Sequence, residues 1–256
     1  MFDVLFEQVP DGNERYISWL FEGLGWTVGL ALAGWVFAFL LGVLVGCGRT
    51  STNRGVAWAS RMYVEVFRNT PIIVQMFLWY FVVPELLPER LGSAMKSWAP
   101  PWGAFFPALV ALSLYTGARV AEQVKAGLDA LPYGQRAASR AMGMTEVQAY
   151  LFILLPQALR IILPTLTSEV MGIFKNTSVA LTIGLLELTA QARQINEFTF
   201  ATFPAFGAAT LFYLALALCV FLIMHSLERR FTIPGAEPTT NKRRVVSRTG
   251  PADAAL

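Results

Sequence analysis

Three stretches of this chain carry no charged residue at all: Gly23 to Gly48, Ser97 to Ala118 and Phe206 to Ser226. A helix needs about 20 apolar residues to cross the roughly 30 Å hydrocarbon core of a bilayer, so each is long enough to span it. Only 14% of the 256 residues are charged, against about 25% in an ordinary soluble domain. The expectation is an all-α integral membrane protein that crosses the bilayer several times.

Two further spans are less clean. Arg61 to Val83 reads as a helix that reaches across, kinked at Pro71, with Trp79, Tyr80 and the PELLPER turn at an interfacial exit. Ile161 to Ser168 and Asn176 to Leu186 are each too short, so the remaining span covers about Leu163 to Leu186. That segment either takes Glu169 and Lys175 into the membrane or is re-entrant. The total is about five spanning helices.

Positive residues set the orientation. One side collects Arg49, Arg54, Arg61, Arg119, Lys125, Arg136, Arg140, Arg229, Arg230, Lys242, Arg243, Arg244 and Arg248; the other collects Arg15, Arg90, Lys96 and Arg193. The first side is expected in the cytoplasm, with the amino terminus outside and the carboxyl terminus inside. The opening MFDVLFEQVPDGNE is acidic, unlike a cleaved leader. After Pro234 the tail lacks apolar periodicity and reads as disordered. The expected organisation is an external segment 1–22, a membrane domain 23–230 containing a cytoplasmic loop 132–156, and a cytoplasmic tail 231–256.

Cys47 and Cys219 lie far apart in apolar segments, without ligand spacing, and read as small buried hydrophobes. The net charge of +3 comes largely from membrane-flanking Lys and Arg, so no nucleic-acid partner is implied. There is no Gly-x-x-x-x-Gly-Lys-Ser/Thr phosphate loop, metal-ligand cluster or catalytic triad, and the single histidine, His225, reads as incidental. No catalytic residue, metal site or bound cofactor is expected, and the energy must come from a partner.

Against this apolar background RAASRAMGMTEVQAYLFILLP, Arg136 to Pro156, stands out. Tyr133 to Met142 is a run of helix formers in which Ala137, Ala138 and Ala141 leave little bulk. Gly143 breaks it as a left-handed cap. Thr145 and Gln148 make a capping box that starts a second short helix, and Pro156 and Pro164 bend the path back to the membrane. Read from composition, the pair either lies on the lipid surface or receives another protein at its small face.

The stretch resembles the EAA loop of ABC importer permeases: Glu-Ala-Ala, three residues, Gly, nine residues, Ile-x-Leu-Pro. Ala137, Ala138 and Ser139 stand in the first three places, so the opening glutamate and the second alanine are absent. Gly143, Ile153, Leu155 and Pro156 fall at the required spacing. EVFRNTPIIVQMFLWY and EVMGIFKNTSVALTIGLLELTAQARQI resemble spans of polar amino-acid permeases. With PYGQRAASRAMGMT and ARVAEQVKAGL, they look closest to glutamate/aspartate importer permeases.

The resemblance covers nearly the whole chain outside the extreme tail. It implies a type I importer fold in a bacterial inner membrane. It also implies a homologous second permease subunit (a heterodimer favoured over a second copy), two ABC ATPases that use ATP and Mg, and a periplasmic amino-acid-binding protein. It places ATPase coupling on Ala137, Ala138, Ser139, Arg140, Gly143, Ile153, Leu155 and Pro156. The alternatives are a permease of the same ABC class for another polar amino acid, then a gradient-driven transporter or channel and, less well supported, a membrane enzyme.

An ionisable group in a span costs about 2.5–3.5 kcal/mol on insertion scales, so it normally faces protein or a wet cavity. Arg68, Arg119, Glu169 and Lys175 are such groups. They either line a route for a charged amino acid or serve structure, by pairing or by snorkelling to an interface. Glu169 and Lys175, six positions apart, are not helix neighbours and need partners on other spans. Arg119 is the position where an arginine would favour an anionic side chain. Asn69, Thr70, Asn176, Thr177 and Ser178 either bond a passing zwitterion or satisfy local backbone. ELTAQARQINEF is expected as a polar helix on the outer face, either a contact for the binding protein or a solvated cap.

Overall fold

A computed structural model describes residues 2–10 and 13–231. Its first long helix, α1 (Tyr16–Arg49), runs through the middle of the bundle. At 1.5 Å per residue it measures about 51 Å and outreaches the hydrocarbon core. Because it starts at Tyr16, it takes in the last residues of the expected external segment. The residues before it fold back: Leu5 is buried beside Tyr16 and Leu20, and the Phe2 ring lies 6.0 Å from Phe203.

Next come α2 (Arg54–Asn69) and α3 (Ile72–Leu86), with 104° between them. The sequence expectation of one merely kinked span across Pro71 is therefore corrected. Asn69 turns inward on its own helix, donating to the Glu65 carbonyl at 2.9 Å. Thr70 bonds the Val66 carbonyl, and the buried Gln75 amide donates to the Phe67 and Thr70 carbonyls at 2.8 and 3.0 Å. Pro71 has no N–H and disfavours helical geometry before it, and the Gln75 amide occupies the Phe67 and Thr70 carbonyls that the broken helix leaves open.

After α4 (Glu89–Lys96) comes α5 (Trp102–Asp129), which begins later than the charge-free stretch because Pro100 and Pro101 precede it. It packs along α1 through small residues. A Cβ on Gly42 would sit 2.6 Å from Val120, and one on Gly46 2.6 Å from Val124. Lipid tails are as apolar as leucine, so such close backbone approach carries helix association where the hydrophobic effect cannot.

The loop helix α6 (Tyr133–Ala141) leads into α7, one helical run over Glu146–Ile183. One expectation is corrected here: the second helix is not a short one but the start of a long span, inside which Pro156 and Pro164 both lie. A π turn at Tyr150–Leu154 precedes Pro156; its widened ring absorbs the missing donor. The run tightens to 3-10 geometry over Thr177–Ile183, as local bonds from Thr177 and Thr182 to carbonyls three back accompany.

Two more helices, α8 (Leu188–Thr199) and α9 (Thr202–Phe231), complete the described chain. All but Phe231 of the expected tail lies outside the described residues. Leu30, Met76, Leu112 and Ile173 are fully buried at mid-bundle. Leu5, Leu188 and Ile195 close one end, and Val124, Leu154 and Ala158 pack toward the α6 end. Cys47 is half-buried and Cys219 exposed, so the expectation that both are buried holds for neither in full.

Candidate functional site

The sequence counts Arg119 among the cytoplasmic flanking cations, whereas it sits well inside α5, facing α7. Its Nε donates to Glu169 Oε2 at 2.6 Å and its Nη2 to Oε1 at 3.0 Å. This is the bidentate geometry that a planar guanidinium forms with a carboxylate. The two partners differ in access, the Glu169 side chain being 7% exposed and that of Arg119 44%. Tyr115 lies one turn before Arg119, its ring centroid 6.0 Å from the guanidinium carbon. Tyr115, Thr116, Gly172, Ile173 and Asn176 complete a cavity of about 210 Å³ around the pair. Asn176, two turns beyond Glu169 on the same face, joins this site as the sequence allows.

The other candidates are elsewhere. Arg68 lies 3.0 Å from Glu122, which also pairs with Arg49 at 2.6 Å. One carboxylate on α5 thus pins the end of α1 and the end of α2, and Arg68 belongs to a structural clamp. Asn69 is held by Glu65, at the carbonyl and at Oε2. Lys175 is exposed and lines a separate, mostly apolar groove with Met171, Phe174, Thr210 and Tyr213. The expected path of Arg68, Asn69, Arg119, Glu169, Lys175 and Asn176 therefore divides, and only Arg119, Glu169 and Asn176 share one cavity.

One buried carboxylate went unflagged. Glu187 is fully buried and caps α8, accepting from Thr189 N at 3.0 Å and Ala190 N at 2.9 Å. Tyr213 of α9 donates to it at 2.7 Å, and Thr27 of α1 at 3.5 Å. Burial pushes this carboxyl upward, opposed by the hydrogen bonds it accepts. An acidic residue directly before a polar helix start was the available signal. The helix it caps is amphipathic, with Leu188, Ala192 and Ile195 buried, so the expected polar helix is polar on one face only.

The loop motif folds as its residues dictate. Gly143 has φ of +76°, and Met144 N donates to the Ser139 carbonyl at 3.1 Å, closing α6 with a left-handed turn. Thr145 and Gln148 form both bonds of the capping box. Ala137, Ala138 and Arg140 are exposed, and so are the neighbouring Tyr133, Met142 and Val147. Ser139 faces inward, bonding the Gln135 carbonyl at 2.9 Å. Arg140 Nε reaches Glu146 Oε1 at 2.9 Å across the turn. Ile153 and Leu155 are half-buried in α7, so they position the turn and do not belong to its exposed face. Pro156 is exposed, but to a groove it shares with Trp35 and Phe231.

The same elements recur in known proteins. Residues 38–233 match the family described as binding-protein-dependent transport system inner membrane component. The chain is 42% identical over 233 residues to the glutamate/aspartate import permease protein GltJ of Escherichia coli, strains K12 and O6:H1, covering 91% of this chain and 95% of the relative. It is 29% identical to the glutamate/aspartate import permease protein GltK of E. coli O6:H1, covering 84% and 94%. A chain from a crystal structure of an amino acid ABC transporter with histidines superposes with a TM-score of 0.69 at 29% identity, covering 84% of this chain and 95% of that one.

Proposed function

The chain belongs to the binding-protein-dependent transport system inner membrane component family and is an ABC amino-acid importer permease; on that premise we propose that it carries glutamate or aspartate past the Arg119–Glu169 pair. It is a multi-pass inner-membrane subunit with the type I importer fold, and ATP hydrolysis belongs to a separate subunit.

The 42% identity to GltJ across 91% of the chain supports the acidic cargo, and the bidentate pair is the observation that supports this route. An amino acid brings an ammonium and a carboxylate, and an acidic one brings a second carboxylate. Glu169 supplies the anion the ammonium needs, and Arg119 supplies the donor fork that fits a carboxylate. Without cargo the two neutralise each other, which keeps an unpaired charge out of the membrane interior.

The α6 end faces the cytoplasm. The turn after α1, the loop helix and the end of α9 all lie on that side, and with them the arginines that favour it. The amino-terminal residues and α8 then face outward, where the periplasmic binding protein delivers cargo. The small exposed face of α6 docks on one of two ATPases, which bind ATP and Mg. A distinct second permease completes the pore, since both GltJ and GltK of one strain are relatives of this chain.

Competition for uptake tests the cargo route. In the assembled importer, Arg119→Tyr should reduce the preference for acidic over neutral amino acids by about tenfold, the scale of one lost charge-assisted pair. Undiminished preference would take Arg119 off the route.

A further inference from the structure

Along the backbone, α6 connects only to α5 and α7. A displacement of α6 would reach those two helices and leave α1, the central one, to follow by packing alone. Side chains supply a third connection. Arg136 on α6 donates from Nη2 to the Tyr150 hydroxyl at 2.8 Å, and its guanidinium lies over the Tyr150 ring, 5.3 Å from the centroid. The same hydroxyl reaches Thr50, the residue that closes α1, with the carbonyl oxygen at 3.0 Å and Oγ1 at 2.9 Å. Thr50 Oγ1 is in turn 3.0 Å from the Cys47 carbonyl, inside α1.

One phenol can serve both helices at once, with the Thr50 hydroxyl proton going either to the Cys47 carbonyl or to the phenol oxygen. A phenol has one proton and two lone pairs. It accepts from Arg136 and donates toward Thr50, so one oxygen bridges a guanidinium on the loop helix and the end of α1. Tyr150 also opens the π turn Tyr150–Leu154, an insertion that re-aims side chains and is frequent at functional positions. All three residues are half-buried, which lowers the local dielectric and strengthens a charge-assisted bond relative to an exposed one.

We infer that Tyr150 is a positioning residue for coupling: it joins the ATPase-facing helix to α1, so that movement of α6 shifts α1 together with α7. This rests on the reading of α6 as the ATPase contact, and the two are separable by experiment. The importer is reconstituted with its ATPases and binding protein in proteoliposomes, and cargo moved per ATP hydrolysed is measured. A photo-cross-linking probe at the exposed Val147 reports whether the ATPase sits on this loop.

Tyr150→Phe keeps the ring and its stacking with Arg136 and removes only the bridging oxygen. The expected result is an intact cross-link, ATP turnover within about twofold, and a fall of about tenfold in cargo per ATP, the scale of one charge-assisted hydrogen bond. Arg136→Gln reads the same joint from its other end should the first variant assemble poorly, with the same expectation. An unchanged ratio with the cross-link present overturns the joint alone. A missing cross-link in the unsubstituted chain overturns the docking reading, and the joint with it.

Discussion

Arg119 and Glu169 sit fifty positions apart in sequence and meet through two parallel hydrogen bonds between α5 and α7. The pair is lopsided, its carboxylate buried and its guanidinium half-exposed, and this sets an order for its variants. Arg119→Met strands a buried anion, whereas Glu169→Gln leaves an arginine that retains access to the cavity. Breaking a buried pair costs about 3–5 kcal/mol, and the exposure of Arg119 places this one toward or below the lower end. Thermal melting in detergent should show the larger loss for Arg119→Met, while both variants lose transport. The opposite order would mean that Glu169 is stabilised by something other than this arginine.

Glu187 makes a different kind of prediction, because its partners are neutral. It holds α8, α9 and α1 together through two backbone amides, Tyr213 and Thr27. Glu187→Ala leaves the Thr189 and Ala190 amides without that acceptor and Tyr213 with Thr189 Oγ1 at 3.1 Å, and should destabilise the protein by about 2–4 kcal/mol, measured as the drop in melting temperature in detergent. Glu187→Gln keeps one acceptor oxygen and most of the shape, so it should lose distinctly less. Equal losses would show that side-chain volume, not hydrogen bonding, secures this corner.

The stripe of small residues on α1 can be tested by contrast within one helix. A Cβ on Gly42 falls 2.6 Å from Val120 and 2.9 Å from the Gly117 carbonyl, while one on Gly29 meets nothing within 4 Å. Gly42→Ala should force α1 and α5 apart at about 1–3 kcal/mol, and the yield of folded protein from membranes should fall. Gly29→Ala should be neutral or slightly stabilising, since alanine is the better helix former by up to about 1 kcal/mol. If the two behaved alike, the close α1–α5 contact would be wrong.

How much of this was legible in the sequence depended on the range of the interaction. The charge-free run from Gly23 to Gly48 marks α1 because local composition alone decides whether a segment tolerates lipid. The turn at Gly143 was legible too, since a left-handed glycine followed by a Thr-x-x-Gln box is fixed within ten residues. At Pro71 the sequence predicts a kink where the structure has a 104° break, because bend size depends on how Gln75 occupies the freed Phe67 and Thr70 carbonyls. Pro156 and Pro164 read as bends back to the membrane, and that a single span runs from Glu146 through both to Ile183 depends on tertiary packing that no local residue reports. Sorting the membrane charges was beyond local reading. Nothing near Arg68 names Glu122 as its partner, and nothing near Lys175 says that it faces away from Arg119. Periodicity reports a face, and pairing needs the neighbour.

Gly143 offers a way to tell backbone strain from a missing partner. Its φ of +76° penalises any side chain by about 1–2 kcal/mol. A Cβ built there has nothing within 4 Å in the isolated chain, so in this subunit alone bulk adds no clash to the strain. Gly143→Ala and Gly143→Leu should therefore reduce the stability of the purified permease equally, with Gly143→Asn, which tolerates the left-handed region, reducing it least. In the assembled importer the pair should separate. Leucine projects from the exposed turn into the surface proposed for ATPase docking, so transport should be abolished for Gly143→Leu and only weakened for Gly143→Ala, with both proteins present in the membrane at similar levels. Transport that tracked the stability of the isolated subunit across all three variants would mean that no second protein lies against this turn.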